Sequence, residues 1–145
     1  MSQENVEIVR RAIDALISAG YDPHRVADFF EFVDSDIEYD ISRTNPETII
    51  YRGRDGVGDA LEKWLETWGA FEATPLEFID AGQDRVVTVI HERGKLKGSE
   101  AWVEHTRGAI WTLEDRRIVR YEEHQDRASA LEATGLRESR ELPVG

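Results

Sequence analysis

A chain of 145 residues, 40% hydrophobic and 9% aromatic, is long enough for one core, too short for two, and too apolar to be wholly disordered. Its formal charge of −12, from 18 Lys+Arg against 30 Asp+Glu, offers no basic stripe to displace counterions from phosphate and argues against nucleic acid or an anionic membrane surface as partner. The absence of cysteine removes disulfides, thiolate nucleophiles and cysteine-held zinc together.

The opening reads as a helix. Ser2 stands where a cap belongs, and Val6, Val9, Ile13, Leu16 and Ile17 recur at three- and four-residue intervals to draw one apolar stripe, which Gly20 ends. "YDPHRVADFFEFV" predicts a second helix, capped by Asp22 with Pro23 in its first turn, that buries Val26, Phe29, Phe30 and Val33. "SDIEYDIS" changes the period to two, with Ile37, Tyr39 and Ile41 on one side and Glu38 and Asp40 on the other. The loop "RTNPET" and a short "IIYRG" lead to a third helix from about Asp55 to Trp68, where Val57, Leu61, Trp64, Leu65 and Trp68 share a face.

From Phe71 onward the pattern is β. "FEATPLEFIDAG" contains Pro75, so an edge or a bulge is expected there. "DRVVTVIHERGKLK" turns at "GS" into "EAWVEHTRGAIWTLE", which turns at "DR" into "RIVRYEEHQD". On this last strand, alternation sets Tyr121, Glu123 and Gln125 on one face and Arg120, Glu122, His124 and Asp126 on the other. The second set carries more charge and is expected to meet solvent or a second subunit, which leaves the first for the concave side. Asp126 is placed to cap a short final helix, "RASALEAT", closed by Gly135, and residues 137–145 are expected to form a mobile tail beyond a single domain of residues 1–136. Helices first and a meander of long antiparallel strands afterwards predict an α+β layer fold, whose bent sheet keeps a cavity at its open end.

The stretches "MSQENVEIVRRAIDAL", "YRGRDGVGDALEKWLE" and "GAIWTLEDRRIVRYEEHQDRASALEATGL" resemble the SnoaL-like branch of the nuclear-transport-factor-2-like superfamily, in register from about Glu4 to Leu136. The resemblance implies a cone: a curved antiparallel or mixed sheet wrapped around three N-terminal helices, with a short C-terminal helix, an internal pocket and pairing of two copies through the outer face of the sheet. It does not select an activity, because the superfamily houses cyclases, ketosteroid isomerases, epoxide hydrolases, dehydratases and non-enzymes. The position that carries the isomerase base is Tyr39 here, so that base is missing. The position of the cyclase acid/base aspartate falls on Glu123, a carboxylate one methylene longer.

Glu123 is therefore the candidate acid/base, since a carboxyl removed from water holds its proton more firmly and can trade it near neutrality. Tyr39 and Tyr121 are the candidate donors to a developing oxyanion, and Trp64, Trp68, Phe30 and Trp111 the expected walls of the pocket, with His105 and Arg107 as polar members. The hairpin leaves two registers open. With a two-residue "GS" loop His91 pairs with Thr106 and faces away from His105 and Arg107; with three residues it sits across from Arg107 on the same face. Arg107 inside the cavity suggests a substrate carboxylate or enolate, and Arg107 outside suggests a salt bridge between subunits.

No His-x-His, His-Glu-x-x-His or clustered carboxylate pattern points to a metal, "GRDGVG" lacks the βαβ context and lysine of a phosphate loop, and no cofactor is called for. No apolar run nears the roughly 18 residues of a membrane span and the N-terminus has no signal-peptide core, so a cytoplasmic protein is expected. Three functions stay in view: cofactor-free isomerase, cyclase or dehydratase chemistry on a hydrophobic carbonyl compound; a non-catalytic module that binds or senses such a molecule; and an epoxide hydrolase-like activity, which needs Asp40 and Arg107 turned inward beside Glu123.

Overall fold

A computed structural model describes residues 2–45 and 49–136, so the Ser2 side chain and the expected tail at 137–145 lie outside the described residues. Helix α1 (Ser2–Ser18) buries Val9, Ala12, Ile13 and Leu16, the stripe that its three- and four-residue spacing demands. Gly20 ends it in a left-handed conformation (φ 66°), and the next residue, Tyr21, holds φ 60° while its N–H bonds Leu16 O at 3.2 Å. This six-to-one closure turns the chain so sharply that Tyr21 is sent back under the helix.

The expected second helix is a single turn, α2 (Ala27–Phe30). Asp22 caps a turn instead: its Oδ1 accepts the His24 N–H at 2.9 Å, so the Asp-Pro pair makes a local loop and not a helix start. Val33 then opens strand β1 (Val33–Asp40) rather than closing a helix. After β2 (Ile50–Arg52), helix α3 (Gly53–Thr67) begins two residues before Asp55 and buries Val57 and Leu61. Strands β3 (Trp68–Gly82), β4 (Arg85–Leu96), β5 (Trp102–Glu114) and β6 (Arg117–His124) follow, and α4 (Arg127–Ala133) comes last.

The six strands form one mixed sheet in the order β2-β1-β6-β5-β4-β3. All pairs are antiparallel except β1 with β6, which closes the first strand against the last. Pro75 sits on the edge strand β3 at a register shift between Pro75 and Glu77, where a missing N–H breaks no essential ladder. The β5–β6 turn is Asp115-Arg116, both left-handed (φ 49° and 67°), the twist-matched two-residue form. In the long hairpin His91 pairs with Thr106 and Glu92 with His105, which selects the "GS" register. The main core lies between α1, α3 and the concave side of the sheet, from Val9 and Ile13 through Leu61 to Trp111 and Ile118.

A second, smaller core on the convex side corrects the reading of β6. Ala130 and Leu131 of α4 pack on Val87 and Ile110, so α4 covers part of the outer face. Glu122 and His124 are consequently buried, not wet: His124 is 2% exposed, with Nδ1 3.1 Å from Ser129 Oγ and Nε2 2.5 Å from Glu122 Oε2. Asp126 does cap α4, accepting the Ser129 N–H at 2.9 Å. The close approach of this cap requires Gly108, where an added Cβ would stand 2.3 Å from Asp126 O.

Candidate functional site

Strands β1, β4, β5 and β6 carry alternate residues to the concave face, and α1 and α3 roof it. Between them lies a cavity of about 190 Å³. Tyr39 and Tyr121 face one another across the parallel β1–β6 pair and stack with centroids 4.5 Å apart and planes at 15°. Trp111 meets the edge of Tyr121 at 4.7 Å and spends its indole N–H on Thr88 Oγ1 at 2.9 Å, which fixes that wall. Trp64 enters from α3, and Tyr21 lies 6.5 Å from it, centroid to centroid.

The polar centre is Arg107. Its Nε is 2.9 Å from Glu92 Oε1 and its Nη1 is 3.1 Å from Glu123 Oε2. Glu123 also accepts from the Tyr121 hydroxyl at 3.0 Å and from the Thr44 hydroxyl. One guanidinium fork thus joins two largely buried carboxylates. Burial pulls the Arg107 pKa down, but Glu123 and Glu92 outweigh it, so the group stays charged. Burial drives the phenols of Tyr39 and Tyr121 well above their usual range, with the charge of Glu123 adding to it. The same holds for Tyr21, where burial comes first and Glu92 second. All three phenols therefore keep their protons as hydrogen-bond donors near neutrality. Burial also raises Glu92, with Glu123 adding and Arg107 opposing.

Of the residues singled out from the sequence, Glu123, Tyr39, Tyr121, Trp64, Arg107 and Trp111 line this cavity together. Arg107 points inward, so it makes no outer-face bridge; its charge is already shared by two carboxylates, and it is not a vacant receptor for a substrate carboxylate. Three residues stand elsewhere. Phe30, on the one-turn α2, packs against the core beside Phe29 and under the Arg54 guanidinium. Trp68 is the first residue of β3, not the end of the helix; it contacts Trp64 at 5.5 Å but lines a second hollow, of about 180 Å³, along with His105. His105 Nε2 lies 2.6 Å from Gln125 O.

Asp40 lies on the opposite side of β1 from Tyr39, 2.8 Å from Arg120 and 3.7 Å from Arg43. That position removes the hydrolase arrangement built on Asp40 beside Glu123. Glu92, Tyr21 and Thr44 are among the cavity residues that escaped the sequence reading. Glu92 could be placed only once the hairpin register was known, Tyr21 sits in a turn without periodicity, and Thr44 sits in a loop. Among the described residues no group of three or more His, Cys, Asp or Glu side chains is arranged to hold a metal ion.

Comparison with known proteins agrees with this architecture. The SnoaL-like domain matches residues 9–121. An NTF2-like protein from Burkholderia xenovorans superposes with a TM-score of 0.68 at 23% identity, covering 92% of this chain and 98% of that one. TerC co-crystallised with polyporic acid gives 0.68 at 20% identity, covering 85% and 92%. A protein with a ketosteroid isomerase-like fold from Catenulispora acidiphila, in complex with trimethylamine, gives 0.66 at 16% identity, covering 90% and 93%. No curated protein matches the sequence. At these identities the solved structures speak for an NTF2-like fold alone, and the match over residues 9–121 places the chain in the SnoaL-like domain family.

Proposed function

We propose that the cavity binds a small, flat, mostly apolar carbonyl compound and moves a proton on it without a cofactor, as an isomerase, cyclase or dehydratase would. One observation carries this reading: an arginine shared by two buried carboxylates, walled by aromatic rings whose hydroxyls keep their protons. Carboxylates exchange protons with carbon acids, and neutral phenols donate to the oxygen on which negative charge collects. Tyr121 is committed to Glu123, whereas the hydroxyls of Tyr39 and Tyr21 have no hydrogen-bond partner among the described residues and are free to meet a ligand oxygen.

Thermal shift against flat ketones of one to four rings tests binding, since a ligand held only by the native state raises the melting temperature. Product analysis of the hits tests turnover. Raised melting temperature with product formation supports the acid–base reading. Raised temperature with no product makes the chain a binding module, and no shift anywhere in the panel removes both.

A homodimer through the outer face of the sheet is the second part of the proposal. There Trp102, 39% exposed, is flanked by Arg93 at 3.9 Å and Lys95 at 5.1 Å, and His91 pairs with Glu104 at 2.9 Å. An aromatic anchor rimmed by charges of both signs suits a self-complementary contact.

A further inference from the structure

Glu92 and Glu123 differ in what their oxygens already do. Both oxygens of Glu123 are occupied, Oε1 by the Tyr121 hydroxyl and Oε2 by Arg107 and the Thr44 hydroxyl. Glu92 accepts at Oε1 from Arg107 at 2.9 Å, and among the described residues its Oε2 accepts nothing. A carboxylate whose two oxygens already meet three donors has little lone-pair density left for a C–H bond, whereas an uncommitted oxygen can reach for a proton.

Glu92 also stands in the wall between the two hollows, which share Trp64, Glu92 and Arg107. The second hollow is bordered by the exposed Val103, Glu104 and His105, and the strand register sets His105 directly across from Glu92. Glu92 thus lines both the ligand cavity and the hollow that the exposed residues border. A proton gained from a ligand can leave without passing the ligand again. Burial, which raises Glu92 against the pull of Arg107, agrees with a group that changes charge closer to neutrality than an ordinary glutamate.

We propose that Glu92, rather than Glu123, is the proton carrier of this cavity, with Glu123 the positioning residue that holds Arg107 and Tyr121 in place. The inference rests on the acid–base reading above. Oε2 of Glu92 takes the proton from the carbon beside the ligand carbonyl. The C–H electron pair becomes the new C=C bond, and the carbonyl π pair moves to oxygen, where the Tyr39 hydroxyl donates. Return of the proton from Glu92, to the same carbon or to the far end of a conjugated system, restores the carboxylate and consumes no other reactant.

The test uses 2-tetralone deuterated beside its carbonyl and follows loss of deuterium by NMR. Wild-type protein is expected to accelerate exchange beyond buffer. Glu92→Gln should remove about a hundredfold of that acceleration, and Glu123→Gln about tenfold, through misplacement of Arg107. Exchange that survives E92Q and is abolished by E123Q overturns the assignment. No acceleration by wild-type protein sinks the acid–base reading itself. A ¹³C titration of the glutamate side chains then decides Glu92 independently: a carboxyl signal titrating above the ordinary glutamate range should be present in wild type and missing in E92Q, and its persistence in E92Q overturns the proposal.

Discussion

Tyr39 and Tyr121 stack at 4.5 Å across the single parallel strand pair of the sheet, so the contact that closes first strand against last is also a wall of the cavity. Fold and site share these rings, which makes their ring and hydroxyl roles separable by mutation. Tyr121→Phe keeps the stack and deletes the hydroxyl that Glu123 accepts at 3.0 Å, and should cost about 1 kcal/mol in urea denaturation. Tyr39→Ala removes a buried ring and should cost about 3 kcal/mol. Tyr39→Phe should barely change stability, yet lower turnover of any carbonyl substrate about a hundredfold.

Arg107 is expected to be intolerant of isosteric loss. Arg107→Met leaves Glu92 and Glu123 buried without their shared counter-ion, which should cost about 3 kcal/mol or more. Arg107→Lys keeps the charge but cannot serve both carboxylates through a planar fork, so it should recover only part of that loss. Chemical denaturation of the three proteins at one pH checks the order.

Opposite pH trends should follow from the two sides of the sheet. On the convex side, Glu38 is held below its usual range by the Arg120 and Arg52 guanidiniums. Asp40 and Glu122 are pushed up by burial but held lower still by their partners: Ser42 and Arg120 for Asp40, Arg120 and His124 for Glu122. Folded-state values below the unfolded ones give stability that is present at neutral pH and lost as pH falls through the acid range of carboxyls, about pH 4 and below. Glu92 has the reverse sign: its folded value is raised, so its contribution is present in acid and lost as pH rises through the folded value. Melting curves from pH 3 to 8 should fall steeply at the acid end, and Glu92→Gln should flatten the decline at the upper end.

Much of the fold was legible because periodicity survives burial. The stripe from Val6 to Ile17, the alternation of β6 and the capping Asp126 each encode an element within a few residues of chain. The site was legible only in part. Which way Glu92, His105 and Arg107 point depends on the register of a hairpin whose strands are paired over more than ten residues, and no local pattern distinguishes a two-residue loop from a three-residue one there. The burial of His124 depends on α4 folding back over the sheet so that Ala130 and Leu131 meet Val87 and Ile110, a long-range contact that no local period encodes. Asp22-Pro23 looks like a helix start because the same residues begin turns.

That fold-back rests on Gly108. Gly108→Ala places a methyl group 2.3 Å from Asp126 O and should lift α4 from Val87 and Ile110. The expected cost is about 3 kcal/mol, with faster amide hydrogen exchange across residues 127–133 and little change in α1.

Trp102→Asp should convert a dimer to a monomer in sedimentation equilibrium while leaving the far-ultraviolet circular dichroism intact, because Trp102 lies on the outer face, remote from the main core. Unchanged mass for W102D, or a monomeric wild type, would remove the outer-face interface.

The most direct measurement is on the indole N–H signals of the four tryptophans during titration with flat ketones. Trp64 and Trp111 line the cavity and should shift in a saturable way, while Trp102, on the outer face, should not move. Shifts confined to Trp102, or none at saturating ketone, would contradict a ligand site between the helices and the concave face of the sheet.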